Sequence, residues 1–268
     1  MAQVQFPYII TFSNQKGGVG KTTLCVAFAN FLSSMGLPVR VLDCDPQQSL
    51  SKIRKRDIVR YGETVIPYDI EKHRKLSRDE MRVLIENIFE GQPEEIILFD
   101  CPGTMTEDWL IPLFTNSDMV VIPFHYDDVT ITSTSEFIIY VERMTVNSAR
   151  QNPPRLYLIP NRSDKRIGTL EELKRWEETR EKFEEHGTVT PRLPSKADIP
   201  RISTIADFDR QLQIVKPAFN KIYRDITGNL DPYGEPITWV KSKNVPKNDA
   251  NSESVPVLEE DNTLGTEI

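Results

Sequence analysis

The chain has 268 residues and a formal net charge of −7 at pH 7, with 33 Lys and Arg against 40 Asp and Glu. At 38% hydrophobic residues it can bury a core, which excludes wholesale disorder, and it has no run of about 18 apolar residues that could span a membrane. The acidic balance excludes a surface uniformly coated with nucleic-acid-binding charge but is compatible with a local basic patch.

Short apolar runs alternate with helical patterns along the chain. The predicted strands are Tyr8–Ser13, Val39–Leu42, Ile96–Phe99, Met119–Pro123 and Leu156–Ile159. Capping-box patterns start two helices at 77–91 and 169–185, and the other predicted helices cover 22–34, 130–149 and 208–228. Residues 61–69 are predicted to form an inserted strand. Strands separated by helices predict an α/β fold with a mostly parallel, twisted sheet and helices on both faces.

The composition changes near the C-terminus. Residues 241–268 contain three Lys, six acidic residues and few large apolar residues, which predicts a disordered acidic tail after one domain over residues 1–240. The three cysteines, Cys25, Cys44 and Cys101, form no CxxC pair. A disulfide scaffold or zinc site is therefore not expected, and the predicted location is the cytoplasm.

The strongest motif is Asn14-Gln-Lys-Gly-Gly-Val-Gly-Lys-Thr-Thr23, between the first predicted strand and a helix. Glycines let consecutive backbone N–H groups point at an anion, and the positive end of the helix adds to the same point. We therefore expect Lys21 to reach the β- and γ-phosphates and Thr22 to bind Mg²⁺. The predicted nucleotide-binding residues are Gly17, Gly18, Val19, Gly20, Lys21, Thr22 and Thr23. Gln15 stands where the common G-x-x-x-x-G-K-[ST] motif has its first glycine, and a second lysine, Lys16, is present.

Two acidic motifs follow predicted strands. Asp43 and Asp45 come after the second strand, in Asp-Cys-Asp-Pro-Gln-Gln, and Asp100 follows the run Ile96–Phe99. Carboxylates at these positions lie at the edge where parallel sheets bind ligands. Asp100 is expected to hold Mg²⁺, through a water molecule because Mg²⁺ keeps much of its hydration shell. The alternative for Asp43 and Asp45 is that they only cap a turn.

These three motifs resemble those of the ParA/MinD-type ATPases with a deviant Walker A motif. The resemblance implies a nucleotide-sandwich homodimer, with two ATP molecules at the interface and Lys16 contacting the nucleotide of the other subunit. It also implies that Asp45 orients the attacking water, that Asp43 supports the Mg²⁺ region and that the Gly103 amide senses the γ-phosphate. Asn161 is the candidate adenine contact, although an Asn after a strand is often only a turn residue, and residues 191–194 form a second candidate loop near the base. The predicted catalytic residues are thus Lys16, Lys21 and Asp45; the metal site comprises Thr22, Asp43 and Asp100.

The resemblance also implies a function. It predicts slow hydrolysis of ATP to ADP and phosphate, stimulated by a partner protein, in partition or maintenance of a plasmid or other mobile element. Residues 192–224 carry seven basic and three acidic residues and are the predicted surface for non-specific DNA binding in the ATP state, which would place the protein on the nucleoid. Residues 51–60 also have a net charge of +4. The alternatives are a MinD-like membrane-positioning ATPase, a biosynthetic relative and a nucleotide-binding regulatory scaffold.

Overall fold

A computed structural model describes residues 6–62, 66–74, 76–104, 107–146, 152–164, 169–196, 199–205 and 209–228. All of them belong to one compact unit, which covers residues 1–234. The predicted acidic tail, 241–268, and the predicted helical residue Phe208 lie outside the described residues. The predicted domain boundary at residue 240 therefore stays a prediction.

The described chain forms seven strands and seven α-helices, with one short 3₁₀ turn at Ile199–Arg201. The strands are β1 Tyr8–Phe12, β2 Val39–Asp43, β3 Asp69–Lys72, β4 Ile96–Asp100, β5 Met119–Phe124, β6 Arg155–Pro160 and β7 Thr188–Val189. The helices are α1 Lys21–Ser34, α2 Ser49–Tyr61, α3 Arg78–Gly91, α4 Leu110–Asn116, α5 Asp128–Thr145, α6 Leu170–Glu184 and α7 Asp209–Thr227.

All seven strands are parallel and form one sheet in the order β3-β2-β4-β1-β5-β6-β7. β1, β4 and β5 are buried along their whole length, as expected for strands that are covered on both faces. The predicted α/β fold with a parallel sheet is confirmed.

Helices cover both faces of the sheet. On one face, Phe28 and Phe31 of α1 pack against Phe219 and Tyr223 of α7, with the Phe28 and Phe219 ring centroids 4.8 Å apart. On the other face, buried side chains of α3, α4 and α5, together with Phe183 of α6, form a continuous apolar core against the strands. Because alternate strand residues point to opposite faces, the apolar runs supply both cores.

The structure corrects one predicted element. Among the described residues of the predicted strand 61–69, only Asp69 belongs to a strand: Tyr61 ends α2, and the strand β3 runs over Asp69–Lys72. β3 lies at the edge of the sheet and its sequence, Asp-Ile-Glu-Lys, is half-exposed, so an apolar run could not reveal it. α2, α4 and β7 have no counterpart among the predicted elements.

The predicted helix starts agree with the structure better than the predicted strand does. Both predicted capping boxes are present: Ser77 Oγ accepts from the Glu80 N–H (3.2 Å), and Thr169 Oγ1 accepts from the Glu172 N–H (3.2 Å). α5 begins at Asp128 rather than at residue 130, because Asp127 caps it by accepting a hydrogen bond from the Thr130 N–H. The last helical residue of α5 is Thr145, and residues 147–150 lie outside the described part of the chain.

Candidate functional site

The sheet order creates a crevice at the carboxyl ends of its central strands. β1 and β4 are neighbours, but the chain leaves β1 towards β2 on one side and leaves β4 towards β5 on the other. Such a reversal is the usual ligand-binding position in open parallel sheets. The segment 13–20 that follows β1 and residues 101–104 that follow β4 therefore meet at this edge. Asp100 lies directly beside both Phe12 of β1 and Asp43 of β2 in the strand register.

The segment 13–20 forms a tight loop whose shape depends on glycine. Gly18 and Gly20 adopt left-handed backbone conformations with φ of 80° and 101°. Gly20 is the N-cap of α1, so no cap side chain competes for the first N–H groups of the helix, which are available to an anion. The loop thus has left-handed glycines and a free helix N-terminus, as a phosphate cradle requires, and phosphate binding by it stays a prediction.

Asn14 holds this loop on the sheet. It is fully buried, its Nδ2 donates to the Pro123 carbonyl (2.8 Å) and to Thr134 Oγ1 (3.0 Å), and its Oδ1 accepts from the Lys16 N–H (3.1 Å). These bonds connect the loop to β5 and α5. The sequence motif predicts no role for Asn14, since a buried amide cannot be recognised from a polar residue next to glycines.

Asn161, which follows β6, fixes the other side of the loop. Its Nδ2 donates to the Val19 carbonyl (2.8 Å), and its Oδ1 accepts from the Arg162 N–H (2.9 Å). A methyl group on Gly20 would lie only 2.5 Å from Nδ2. Asn161 therefore acts here as a support for the loop, and its contact with a base remains a prediction.

Lys21 is 7% exposed and lies at the centre of the site. Its Nζ donates to the Lys16 carbonyl (3.3 Å), and a methyl group on Gly103 would lie 3.1 Å from the same Nζ. Burial lowers the pKa of Lys21, while the negative charges of Asp100 and Asp45 oppose that shift. The structure thus brings Lys21, Gly103 and Asp100 together, as the motifs predicted.

Asp100 is fully buried, and neither of its carboxylate oxygens accepts a hydrogen bond of ordinary geometry from the described residues, although the Thr22 side chain interacts with the carboxylate. Burial raises its pKa to about 8; the nearby negative charges of Asp43 and Asp45 add to this effect, and Thr22 and Lys21 oppose it. A buried carboxylate without partners is costly, and a bound cation would compensate for it.

The two carboxylate oxygens of Asp43 have different surroundings. Oδ2 accepts from the Ser51 N–H (2.9 Å) and from Ser51 Oγ (2.7 Å), so Asp43 stabilises the first turn of α2. Oδ1 is buried and unpartnered within the described chain. The expectation that Asp43 caps a turn is therefore fulfilled by one oxygen, and the other is available to a metal or its water.

Asp45 is half-exposed on the turn that leads into α2. Its Oδ1 accepts from the Gln47 N–H (2.8 Å), and its carbonyl accepts from the Gln48 N–H (2.8 Å), which together form an Asx-type turn. Asp45 thus has the turn role that the sequence analysis kept as an alternative, and its role towards water remains a prediction. The Lys16 ammonium forms no ion pair within the described residues, so its contact across an interface is likewise untested.

The residues fit a magnesium ion better than a metal with nitrogen or sulfur ligands. No group of three or more His, Cys, Asp or Glu residues that could hold a metal occurs in the described part of the chain. Mg²⁺ needs no such cage, because it is usually bound by one or two carboxylates together with phosphate oxygens and water. The unpartnered oxygens of Asp100 and Asp43, with the hydroxyl of Thr22 at the start of α1, suit that coordination.

A small cavity of about 40 Å³ opens beside the loop. It is lined by Gly20, Thr23, Asn161, Arg162, Pro194, Ser195, Lys196 and Ile199. The predicted base contact Asn161 and Pro194 of the predicted 191–194 loop therefore border the same space, next to Gly20. Arg162 and Ser195 were not predicted; the left-handed φ of 53° at Arg162 gives no signal in the sequence.

The basic residues of the segment 192–224 are not all free for a polyanion. Lys196 lines the small cavity, the Arg192 guanidinium lies 5.8 Å from the Trp176 ring centroid, and Lys221 pairs with Asp225 (3.2 Å). Arg201, Arg210 and Arg224 are exposed. DNA binding by this segment stays a prediction. Across the described residues, no helix is both long enough and apolar enough to cross a lipid bilayer.

Comparison with known proteins agrees with this geometry. Residues 10–226 match the model of the CobQ/CobB/MinD/ParA nucleotide binding domain. A chromosome partitioning protein ParA from Caulobacter vibrioides is 26% identical over 168 residues, which are 51% of this chain and 62% of the relative. The chain spans less than two thirds of the length of the curated relatives that it matches.

Two solved structures share the fold. A protein described as a plasmid partition protein from Borrelia burgdorferi, bound to AMPPNP, has a TM-score of 0.62 at 19% identity, over 82% of this chain and 98% of that one. Cobyrinic acid a,c-diamide synthase from Mycobacterium smegmatis, with ADP and magnesium, has a TM-score of 0.63 at 15% identity, over 84% and 97%. The family model covers most of the chain, and the loop, Lys21 and Asp100 occupy the expected edge of the sheet. The chain belongs to the CobQ/CobB/MinD/ParA family of nucleotide-binding domains, as a ParA/MinD-type P-loop protein.

Proposed function

We propose that this protein is an ATPase that dimerises around ATP, hydrolyses it slowly to ADP and phosphate, and binds DNA in the ATP state to partition or maintain a plasmid or other mobile element. A partner protein would stimulate hydrolysis. The partition names of one curated relative and one solved structure support this role, and the family supports nucleotide binding.

The observation that carries the proposal is the fully buried Asp100 carboxylate, whose oxygens accept no hydrogen bond of ordinary geometry from the described residues, beside Lys21 at the mouth of the glycine loop. A structural carboxylate at this position would be expected to have hydrogen-bond partners. The site instead keeps two unpartnered oxygens, a buried ammonium and the free N-terminus of α1 within one crevice. That combination suits the charges of a nucleotide triphosphate and its magnesium ion.

The proposed roles follow from these positions. The N–H groups of residues 17–23 and the Lys21 ammonium bind the phosphates, and Asp100, Asp43 and Thr22 hold Mg²⁺, which neutralises phosphate charge. Gly103 lies close to the Lys21 ammonium, and its amide would sense the γ-phosphate. Asp45 releases its turn hydrogen bond and positions the attacking water. Lys16 of each subunit contacts the nucleotide of the other, so hydrolysis requires the dimer.

Sedimentation with DNA tests the proposed function against its alternatives. The protein is centrifuged with duplex DNA or with anionic liposomes, each with ATP, ADP or no nucleotide and at two salt concentrations. Sequence-independent, salt-sensitive DNA binding only with ATP supports partition. Liposome binding instead would indicate the MinD-like alternative, and nucleotide binding without hydrolysis would indicate a regulatory scaffold.

The Lys16→Ala variant tests the dimer. We expect it to retain ATP binding but to lose ATP-dependent dimerisation and at least about tenfold in hydrolysis rate, since a charge that completes a phosphoryl-transfer site from outside is worth that much or more. Lys182→Ala, on the exposed side of α6, is the matched control. Unchanged dimerisation and hydrolysis in Lys16→Ala would refute the proposed role of Lys16.

A further inference from the structure

The exposed side of α2 is a basic stripe. Its exposed positions are Lys52, Lys55, Arg56, Val59 and Arg60, which follow the helical spacing of three and four residues. At a rise of 1.5 Å per residue the stripe is about 12 Å long, close to the width of the major groove of B-DNA. No acidic side chain interrupts it.

The end of β3 extends the same basic surface. Lys72 stands opposite Asp43 in the strand register, and Asp43 bonds to α2, so Lys72 also lies on the α2 face of the sheet. Lys72 is exposed, and the charges of Lys55 and Arg74 lie near its ammonium. Cations held this close repel one another, and a bound anion would relieve that repulsion.

Two acidic residues near this surface, Asp57 and Glu71, are engaged with other groups, whereas Asp69 is exposed at the start of β3 and acts on the charge of Arg54. Asp57 is 1% exposed, points inward and accepts hydrogen bonds from the Thr204 N–H (2.6 Å) and Ser203 Oγ (3.0 Å), with Arg56 as its only cationic partner in the described chain. Glu71 pairs with Arg40 (2.9 Å). Of the cations on this surface, Lys52, Lys55, Arg60, Lys72 and Arg74 form no ion pair with any described residue, and Arg74 donates instead to Gln48 Oε1 (2.9 Å).

We propose that this α2–β3 surface, formed by Lys52, Lys55, Arg56, Arg60, Lys72 and Arg74, binds the phosphate backbone of duplex DNA without sequence preference. The proposal rests on the DNA binding in the proposed function and assigns it to a surface outside residues 192–224. A membrane surface fits less well, because Val59 is the only large apolar side chain exposed on the stripe and an interfacial helix needs an apolar face.

α2 is tied to both ends of the nucleotide site. Its first turn is held by Asp43 through Ser51, beside the proposed metal position. Further along, Arg54 Nε donates to Thr204 Oγ1 (2.8 Å) and Asp57 binds the same residue. Thr204 belongs to the segment that follows Ile199, which lines the small cavity. A nucleotide in the site would lie beside Asp43 and beside the segment 199–205 that carries Thr204, which gives DNA binding a physical route to depend on ATP.

The test measures DNA affinity over a range of salt for the full chain with ATP and Mg²⁺. The double variant Lys52→Gln, Lys55→Gln removes two cations, and Lys174→Gln, Lys182→Gln removes two exposed lysines from α6 as the matched control. We expect the α2 variant to bind roughly fivefold to tenfold more weakly per lysine, with the slope of log affinity against log salt reduced by about 2. The control variant keeps the wild-type slope, and Lys52→Arg, Lys55→Arg restores binding.

The outcomes separate this inference from the proposed function. If the wild-type protein binds DNA and the Gln variant at Lys52 and Lys55 binds equally well, the α2–β3 surface is refuted while the proposed function stands. If the wild-type protein binds no DNA in any nucleotide state, both are refuted. If the same variant loses binding to vesicles of anionic phospholipid but keeps DNA binding, the surface belongs to a membrane contact and this inference is wrong.

Discussion

Two neighbouring regions of this chain are held in their conformations by different kinds of interaction. The loop at 13–20 depends on backbone conformation, with two left-handed glycines and the buried anchors Asn14 and Asn161. The α2–β3 region depends on side-chain hydrogen bonds, above all those that Asp57 and Arg54 make with Thr204. The first kind of order needs particular residue types in a row, whereas the second joins residues nearly 150 positions apart.

The Gly20→Ala variant tests the backbone side of this comparison and should have the largest effect on ATP binding. An alanine at this position would have to adopt a φ near 101°, which residues with a side chain rarely do. Its β-carbon would also clash with Asn161 Nδ2 at 2.5 Å. We expect ATP affinity to fall roughly 100-fold, since the loop must shift by more than the phosphate contacts tolerate. Gly36→Ala is the control, because Gly36 also has a positive φ but open space around it. Isothermal titration calorimetry should show near-normal ATP binding for Gly36→Ala; the same result for Gly20→Ala would contradict the prediction.

The Asp57→Ala variant tests the side-chain network. It leaves Thr204 and Ser203 without their buried acceptor, so we expect a loss of about 3 kcal/mol in the free energy of unfolding. Asp79→Ala, at a side chain 86% exposed, should change it by less than about 0.5 kcal/mol. Urea denaturation measures both variants, and equal stabilities would show that the network adds nothing.

The Asp57 carboxylate also makes the free energy of unfolding depend on pH, in a direction that follows from its pKa shift. Burial acts to raise the pKa of Asp57, but hydrogen bonds from Thr204, Arg56 and Ser203 outweigh it and lower the pKa in the folded state. The contribution of Asp57 is therefore complete above the unfolded pKa of about 4 and is lost as the pH falls through the lower folded value. Denaturation of wild type and Asp57→Asn between pH 7 and 3 should show a smaller acid loss in the variant.

Asp100 should show the opposite pH dependence. Its pKa is raised to about 8, so the nucleotide-free protein should lose stability as the pH rises from about 4 towards 8. Asp100→Asn removes that cost, and we expect it to be more stable than wild type at pH 8 by on the order of 2 kcal/mol, while losing Mg²⁺-dependent ATP binding. Thermal unfolding at pH 5 and 8 measures the difference. An Asp100→Asn variant that is less stable than wild type at both values would refute this account of the site.

The Ser51→Ala variant should have the smallest effect, at the point where the two regions meet. It removes the hydroxyl bond to Asp43 but leaves the backbone N–H bond, so a loss of about 1 kcal/mol is expected. If α2 is coupled to the site, the ATP dependence of DNA binding should weaken in this variant while the salt slope is unchanged. A DNA titration with and without ATP separates the two effects.

The sequence predicted the first region well and the second poorly, for physical reasons. Consecutive glycines and a lysine before a helix are rare together, so the position of Lys21 in the loop and its proximity to Asp100 could be anticipated. Arg54 and Asp57, however, look like surface charges in a basic segment, and only the packing of α2 against Thr204 shows that both are buried. A charged residue that is buried by a distant partner has the same sequence pattern as an exposed one.

The secondary-structure predictions also succeed in one part of the sheet and fail in another. The strands that are buried on both faces, such as β4 and β5, were predicted within one residue at their ends, because unbroken apolar runs mark them. The edge strand β3 was misplaced, because a short, half-exposed strand with three charged residues contains no apolar run that would identify it. The prediction for Asn161 was incomplete for a related reason: a sequence does not show which carbonyl a buried amide will bind.

The two bonds of Asn161 bear on how the site would choose its base. Both halves of the amide are already engaged, Nδ2 with the Val19 carbonyl and Oδ1 with the Arg162 N–H. A base that bonded to this side chain would have to replace one of those bonds, so the exchange would yield little net free energy and would loosen the grip on the phosphates. Preference for adenine over guanine is thus better sought in the size of the cavity and in the backbone groups around Pro194 and Ser195.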